Sequence, residues 1–135
     1  MKKIALLMMA AAFTLLAADF EWAKSYDSAR KEAAQENKLV FVMFSQENCR
    51  MCNYMKDNVF EDETLANFIT LHFVPVDIDI NEETVPEGFK VLGTPTFYIV
   101  KPNGEHVGRA IVGGAKAPAF LKKLEEYVRT RNGHP

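Results

Sequence analysis

The sequence predicts an α/β fold: a single domain with a mixed central sheet flanked by helices. Three observations predict it. A continuous apolar run, LVFVMF at 39–44, follows a helix-forming segment. A second β-prone run, FVPVDIDI at 73–80, follows further helical pattern, and helix–strand alternation of this kind implies a parallel crossover. A third, TFYIV at 96–100, leads into the turn signal Pro102-Asn103-Gly104, which implies an antiparallel hairpin on the same sheet.

Each element has its own local reason. Residues 26–37, YDSARKEAAQEN, are rich in Ala, Glu, Lys and Arg and predict a helix. The length and the β-branched and aromatic content of LVFVMF predict a strand buried on both faces. From Cys49 to about Asn58, apolar residues at Cys52, Met55 and Val59 fit helical spacing, and Asp62 to Ile69 predicts a second short helix. Phe73 to Ile80 predicts a strand, with Pro75 pointing to an edge or irregular position because it has no N–H for a ladder. Val107 to Val112 is expected to return alongside Thr96–Val100, ended by Gly113-Gly114. Ala117 to Arg131 predicts a closing helix, with Phe120, Leu121, Leu124, Tyr127 and Val128 on one face.

The first residues point to export. Lys2 and Lys3 precede an apolar stretch, IALLMMAAAFTLLAA, of 15 residues. Basic start, apolar centre and small residues at the exit form the pattern of a secretory signal peptide. The stretch is shorter than the roughly 20 residues of a membrane-spanning helix; an uncleaved anchor is the alternative reading. The expected organisation is a signal peptide at 1–18, cleaved after Ala18, and one domain at 19–135, located in the periplasm. The whole chain has 16 basic and 18 acidic residues, a net charge of −2, and no basic run. Nucleic-acid binding, which rests on neutralising phosphates, is not expected.

The two cysteines of the chain, Cys49 and Cys52, stand three positions apart in FSQENCRMCNYM. An exported chain lives where disulfides persist, but a disulfide closing so short a loop removes little chain entropy. Chemistry is the better reason for the pair. Cys49 falls at a strand-to-helix junction, where unpaired N–H groups and the helix dipole favour an anion, and a thiol so placed can ionise well below its usual pKa of about 8.5. Arg50 adds positive charge nearby and Glu47 opposes it. Residues three apart share a helix face, so Cys52 can reach back to Cys49. Cys49 then attacks a disulfide and Cys52 resolves the mixed disulfide.

Other readings of the pair are an inert disulfide and a metal site. Zinc needs four ligands, or three and a water. The remaining candidates, His72 in an expected strand, His106 in the hairpin and His134 in the tail, lack ligand spacing. Cu(I) could use Cys49, Cys52 and Met51 or Met55, although Met55 fits the core face of its helix. Haem attachment needs a His straight after the second cysteine, where this chain has Asn53. No metal and no cofactor is expected.

These motifs together resemble the thioredoxin family over about residues 20–130. The resemblance is carried by LVFVMF, then CRMC opening a helix, VDID closing the next strand, GTPT at 93–96, the turn KPNGE, and the GG before the last helix. The stretches DFEWAKSYDSARKEAAQENKLVFV and FEDETLANFITLHFVPVDID are similar to an exported branch, the C-terminal domain of transmembrane thiol:disulfide interchange proteins. The resemblance implies a thioredoxin fold and a CxxC redox centre. It implies Cys49 as nucleophile, Cys52 as resolving thiol, and Arg50 and Met51 as the dipeptide that tunes the redox potential. It also implies a cis Pro95 beside the disulfide, with the Thr94 backbone presented to an extended substrate in the manner of an added strand. This chain departs from the family pattern in three places: Asn48 stands where Trp is common, Met43 where a buried acid is common, and Pro75 near the position of the lysine that neighbours that acid. A proton relay through those positions is therefore expected to be absent, or supplied by water.

The function expected is a periplasmic thiol–disulfide oxidoreductase, most simply a reductase. Its partners would be disulfides of exported proteins or apocytochrome c, and a membrane-embedded electron donor. The chain is expected to act as a monomer. The alternatives are a thiol oxidant, a non-catalytic Cu(I) carrier or chaperone on the same fold, and an accessory subunit.

Overall fold

The structure, a computed structural model, describes residues 20–132. The expected signal segment, its cleavage point after Ala18, and His134 lie outside the described residues.

Helix α1 (Tyr26–Glu36) starts at Ser25, whose hydroxyl accepts the Ser28 amide while Ser28 returns the bond to the Ser25 amide. This reciprocal pairing satisfies two amides that the helix leaves unpaired. Asn37 ends α1 in the left-handed region (φ 54°), so it is a cap and not, as expected, the last helical residue. Strand β1 (Leu39–Ser45) is buried along its whole length. Helix α2 (Arg50–Tyr54) continues into a wider π turn over Met55–Val59 in place of the uniform helix expected. Helix α3 (Glu63–His72) is capped by the Asp62 carboxylate, which accepts the Leu65 amide at 2.9 Å. Strand β2 (Phe73–Asp79) follows directly. His72, expected in that strand, is instead the last residue of α3 and lies against Phe68.

Strand β3 (Thr96–Val100) has the predicted limits. Its partner β4 does not: only Ile111–Val112 form a strand, where Val107–Val112 was expected. Phe97 pairs with Ile111, yet the Val107 amide donates to the Ile99 carbonyl. Two residues on β3 thus face four on the returning chain, and the excess is a bulge. Gly108 sits in it with φ 66°, against the Tyr127 ring, and the Tyr127 hydroxyl donates to the Arg109 carbonyl. Helix α4 (Ala117–Arg131) therefore holds the bulge as a shape that a regular ladder would not allow.

The sheet order is β2-β1-β3-β4, with β1 and β2 parallel and the other pairs antiparallel. Pro75 lies on an edge strand, as predicted, and its carbonyl accepts the Ala23 amide at 2.8 Å. One face of the sheet carries Leu39, Phe41, Met43, Phe97 and Ile99 under α2, α3 and α4. The other carries Val40, Val42, Phe44, Val74 and Val76 under α1 and the segment 80–91. Alternation along the strands puts successive residues on opposite faces, and β1 is apolar on both because both faces are covered.

Candidate redox site

The chain leaves β1 at Ser45 and turns through Asn48, which takes a left-handed conformation at φ 62°. Asn tolerates this region better than most residues with a side chain. The turn delivers Cys49 to the N-cap of α2, where its sulfur accepts the Cys52 amide at 3.1 Å. One helix-end amide is thus aimed at the Cys49 sulfur, the arrangement that favours charge on it. The two cysteines are joined by a disulfide, with their α-carbons 5.2 Å apart. Cys49 keeps 9% exposure and Cys52 only 1%, so an incoming thiol reaches the Cys49 sulfur.

Arg50 and Glu47 are both exposed, and neither forms an ion pair among the described residues. Met51 is 43% exposed and leans over Gly114, whereas Met55 is fully buried as its helical spacing predicted. A Cβ at Gly114 would lie 2.7 Å from Met51 Cγ and 3.2 Å from Met55 Sδ. The bare backbone of Gly114 is therefore what lets the Gly113-Gly114 segment close on the cysteine helix. Its neighbour Gly113, at φ 84°, donates its amide to the Pro95 carbonyl at 2.9 Å. The Thr94–Pro95 peptide bond is cis. Thr94 is half-buried, and neither its amide nor its carbonyl bonds to another backbone group among the described residues. The sequence-predicted positions Cys49, Arg50, Met51, Cys52, Thr94 and Pro95 are thus tied together through the two glycines.

Two exposed apolar residues elsewhere on the sheet were not singled out in the sequence. Leu92 is 87% exposed and Val112 is 74% exposed. Both line a shallow groove of about 180 Å³ with Thr96 and Tyr98. The signal in the sequence was an apolar residue just before GTPT and another just before GG.

A charged group also lies on the cysteine side of the sheet. Asp77 on β2 pairs in register with Met43 on β1, the position where a buried acid is common in the family pattern. The Asp77 carboxylate accepts the Ser45 hydroxyl at 2.6 Å and forms an ion pair with Lys56, which follows the cysteine helix. His72 and His106 occupy separate places, His106 being stacked on Phe89. Among the described residues no group of three His, Cys, Asp or Glu is placed to hold a metal ion.

Residues 26–128 match the family model of the thioredoxin-like domain. Solved structures agree. The chain is similar to a putative disulphide-isomerase from Bacteroides thetaiotaomicron, with 31% identity over 81% of this chain and 91% of that one, and a TM-score of 0.66. It is similar to a thioredoxin from Thermus thermophilus, with 28% identity, 79% and 85% coverage and a TM-score of 0.66. It shares the fold of the reduced DsbD C-terminal domain from Neisseria meningitidis, with 20% identity, 73% and 90% coverage and a TM-score of 0.60. No curated protein sequence matches the chain. With an N-capping Cys49 bonded to a buried Cys52 on this sheet and these helices, the chain belongs to the thioredoxin-like family of thiol–disulfide oxidoreductases.

Proposed function

We propose that this chain is an exported thiol–disulfide reductase. It takes electrons from a membrane-embedded donor and passes them to disulfides of exported proteins or apocytochrome c. Cys49 is the attacking thiol and Cys52 the resolving thiol. The observation that carries this assignment is the contrast between the two sulfurs: Cys49 caps the helix at the surface, while Cys52 is sealed beneath it. In the reductive direction, Cys49 attacks one sulfur of the substrate disulfide and the other substrate sulfur leaves as a thiol. Cys52 then attacks Cys49, the second substrate thiol departs, and the Cys49–Cys52 disulfide remains with two electrons transferred.

The direction of flow follows from how little holds a charge on Cys49. Its sulfur accepts one backbone amide, and Arg50 points into solvent unpaired. A strong oxidant needs its reduced form heavily stabilised; one amide and a solvated arginine supply little of that. Beside the cysteines, the exposed Met51 offers an apolar surface suited to an extended polypeptide, and the Thr94 backbone is open for main-chain pairing. Export is supported by the basic start and apolar stretch of residues 1–18, and the domain is taken to begin at 19.

Two variants test the roles. Cys52→Ser should accumulate mixed disulfides with exported proteins, seen as adducts on non-reducing gels that vanish on reduction. Cys49→Ser should form none and lack activity. The reverse pattern would exchange the two roles.

A further inference from the structure

Strand β4 ends the sheet order β2-β1-β3-β4, so no strand lies beside its outer edge among the described residues. Phe97 pairs with Ile111, and the Gly113 amide donates to the Pro95 carbonyl. In an antiparallel ladder, the residue between two such bonded positions turns its main-chain groups the other way. The amide and carbonyl of Val112 therefore face outward. Those of Ala110 likewise bond to no backbone group among the described residues. The bulge at Gly108 closes this open stretch at one end, and the bonded Gly113 closes it at the other. What remains is a short main-chain edge of fixed register, a template for one more strand.

The two sides of this edge differ in chemistry. On one side, Leu92 and Val112 are the two most exposed large apolar side chains among the described residues. They line one groove of about 180 Å³, where Lys90 is the only charged residue. Two such side chains in one groove mark a contact surface better than a lone exposed leucine does. On the other side, β4 and α4 border a hollow of about 390 Å³. Its charged residues are Arg109, Lys123 and Glu126, and none of the three forms an ion pair among the described residues. Cations outnumber the acid there, on a chain of negative net charge. Side chains of an added strand alternate between the two faces of a sheet. A segment paired with Ala110 and Val112 sends every second side chain towards the apolar groove and the others towards Arg109 and Lys123.

We infer that the β4 edge binds an extended segment of a partner polypeptide in which apolar and acidic residues alternate. Its main chain pairs with Ala110 and Val112, as in strand addition to other sheet edges. Its apolar side chains cover Leu92 and Val112, and its carboxylates meet Arg109 and Lys123. The site uses neither cysteine and goes beyond the redox reading above.

The test uses a fluorescein-labelled peptide of strand length that alternates valine and glutamate, added to the purified protein and followed by fluorescence anisotropy. One control peptide alternates valine and lysine; another groups the valines and the glutamates in separate blocks. The alternating valine–glutamate peptide should bind saturably, more tightly than either control, and more weakly as salt rises. Lys123→Glu should weaken binding about three- to tenfold, the size of reversing one exposed charge. Val112→Pro removes the outward amide and should abolish binding, with the unfolding midpoint held because an edge strand tolerates proline where no ladder bond is lost. Lys123 is exposed, so Lys123→Glu decides the matter should Val112→Pro fail to fold. No saturable binding, equal binding of either control, or binding unchanged by Lys123→Glu overturns the inference. A dimer in sedimentation that Val112→Pro dissolves gives the edge to a second copy of this chain and overturns it too.

Discussion

The Gly113 amide donates to the Pro95 carbonyl across 2.9 Å, and Gly114 meets the Met51 side chain. Segments distant in sequence are joined by this small contact, and the surface around Cys49 depends on it. Gly114→Ala would push a methyl group into Met51 and towards the buried Met55 sulfur at 3.2 Å. Met51 is exposed and can yield, whereas Met55 cannot. We expect a stability loss of about 1 kcal/mol, typical of a single added methyl group in a tight site, read by urea unfolding. Turnover of a protein disulfide should fall more than turnover of a small disulfide, because the displaced Met51 belongs to the polypeptide surface. Equal loss on both substrates would count against that surface.

Gly108 is required for two reasons at once. Its φ of 66° is strained for any residue with a Cβ, and that Cβ would lie 2.9 Å from the Tyr127 ring. Gly108→Ala should cost about 1–3 kcal/mol and release the Tyr127 hydroxyl from the Arg109 carbonyl. Burial, with Glu126 adding to it, raises the Tyr127 pKa. The variant should therefore show tyrosine ionisation beginning at lower pH in an ultraviolet titration. An unchanged titration would mean that the ring stays seated.

His72 gives the fold a mild acid sensitivity. Burial lowers its pKa, and the Arg131 charge lowers it further. The folded imidazole therefore takes a proton less readily than the unfolded one, whose pKa is about 6.5. Its contribution is fully present above that value and is lost as pH falls through and below it. The drop in thermal midpoint between about pH 8 and about pH 5 should be smaller in His72→Gln than in the unmodified protein. Equal drops would assign the acid sensitivity to other groups.

The readable parts of the sequence were those set by local pattern. LVFVMF reads as a buried strand because both of its faces are covered, and Ala117–Arg131 reads as a helix because Phe120 and Leu124 recur at helical spacing. The junction position of Cys49 follows from the strand before it and the helical spacing after it. What escaped depends on partners far along the chain. The returning strand shortens because Gly108 fits against Tyr127, nineteen residues later, and periodicity carries no trace of that fit. The ion pair of Asp77 with Lys56 depends on the register of β2 with β1 and on the π turn that carries Lys56, and neither leaves a trace in local pattern. His72 read as part of the strand because its neighbour Phe73 begins one, while the Asp62 cap and the buried Ile69 carry the helix through His72.

The central claim is that Cys49 and Cys52 form a working couple that gives electrons away. The most direct measurement is its reduction potential, obtained by equilibrating the protein with dithiothreitol or glutathione buffers and alkylating the free thiols. A value near the thioredoxin end of the scale, about −270 mV, is the predicted result. A value near about −120 mV would make the protein an oxidant and contradict the direction of flow.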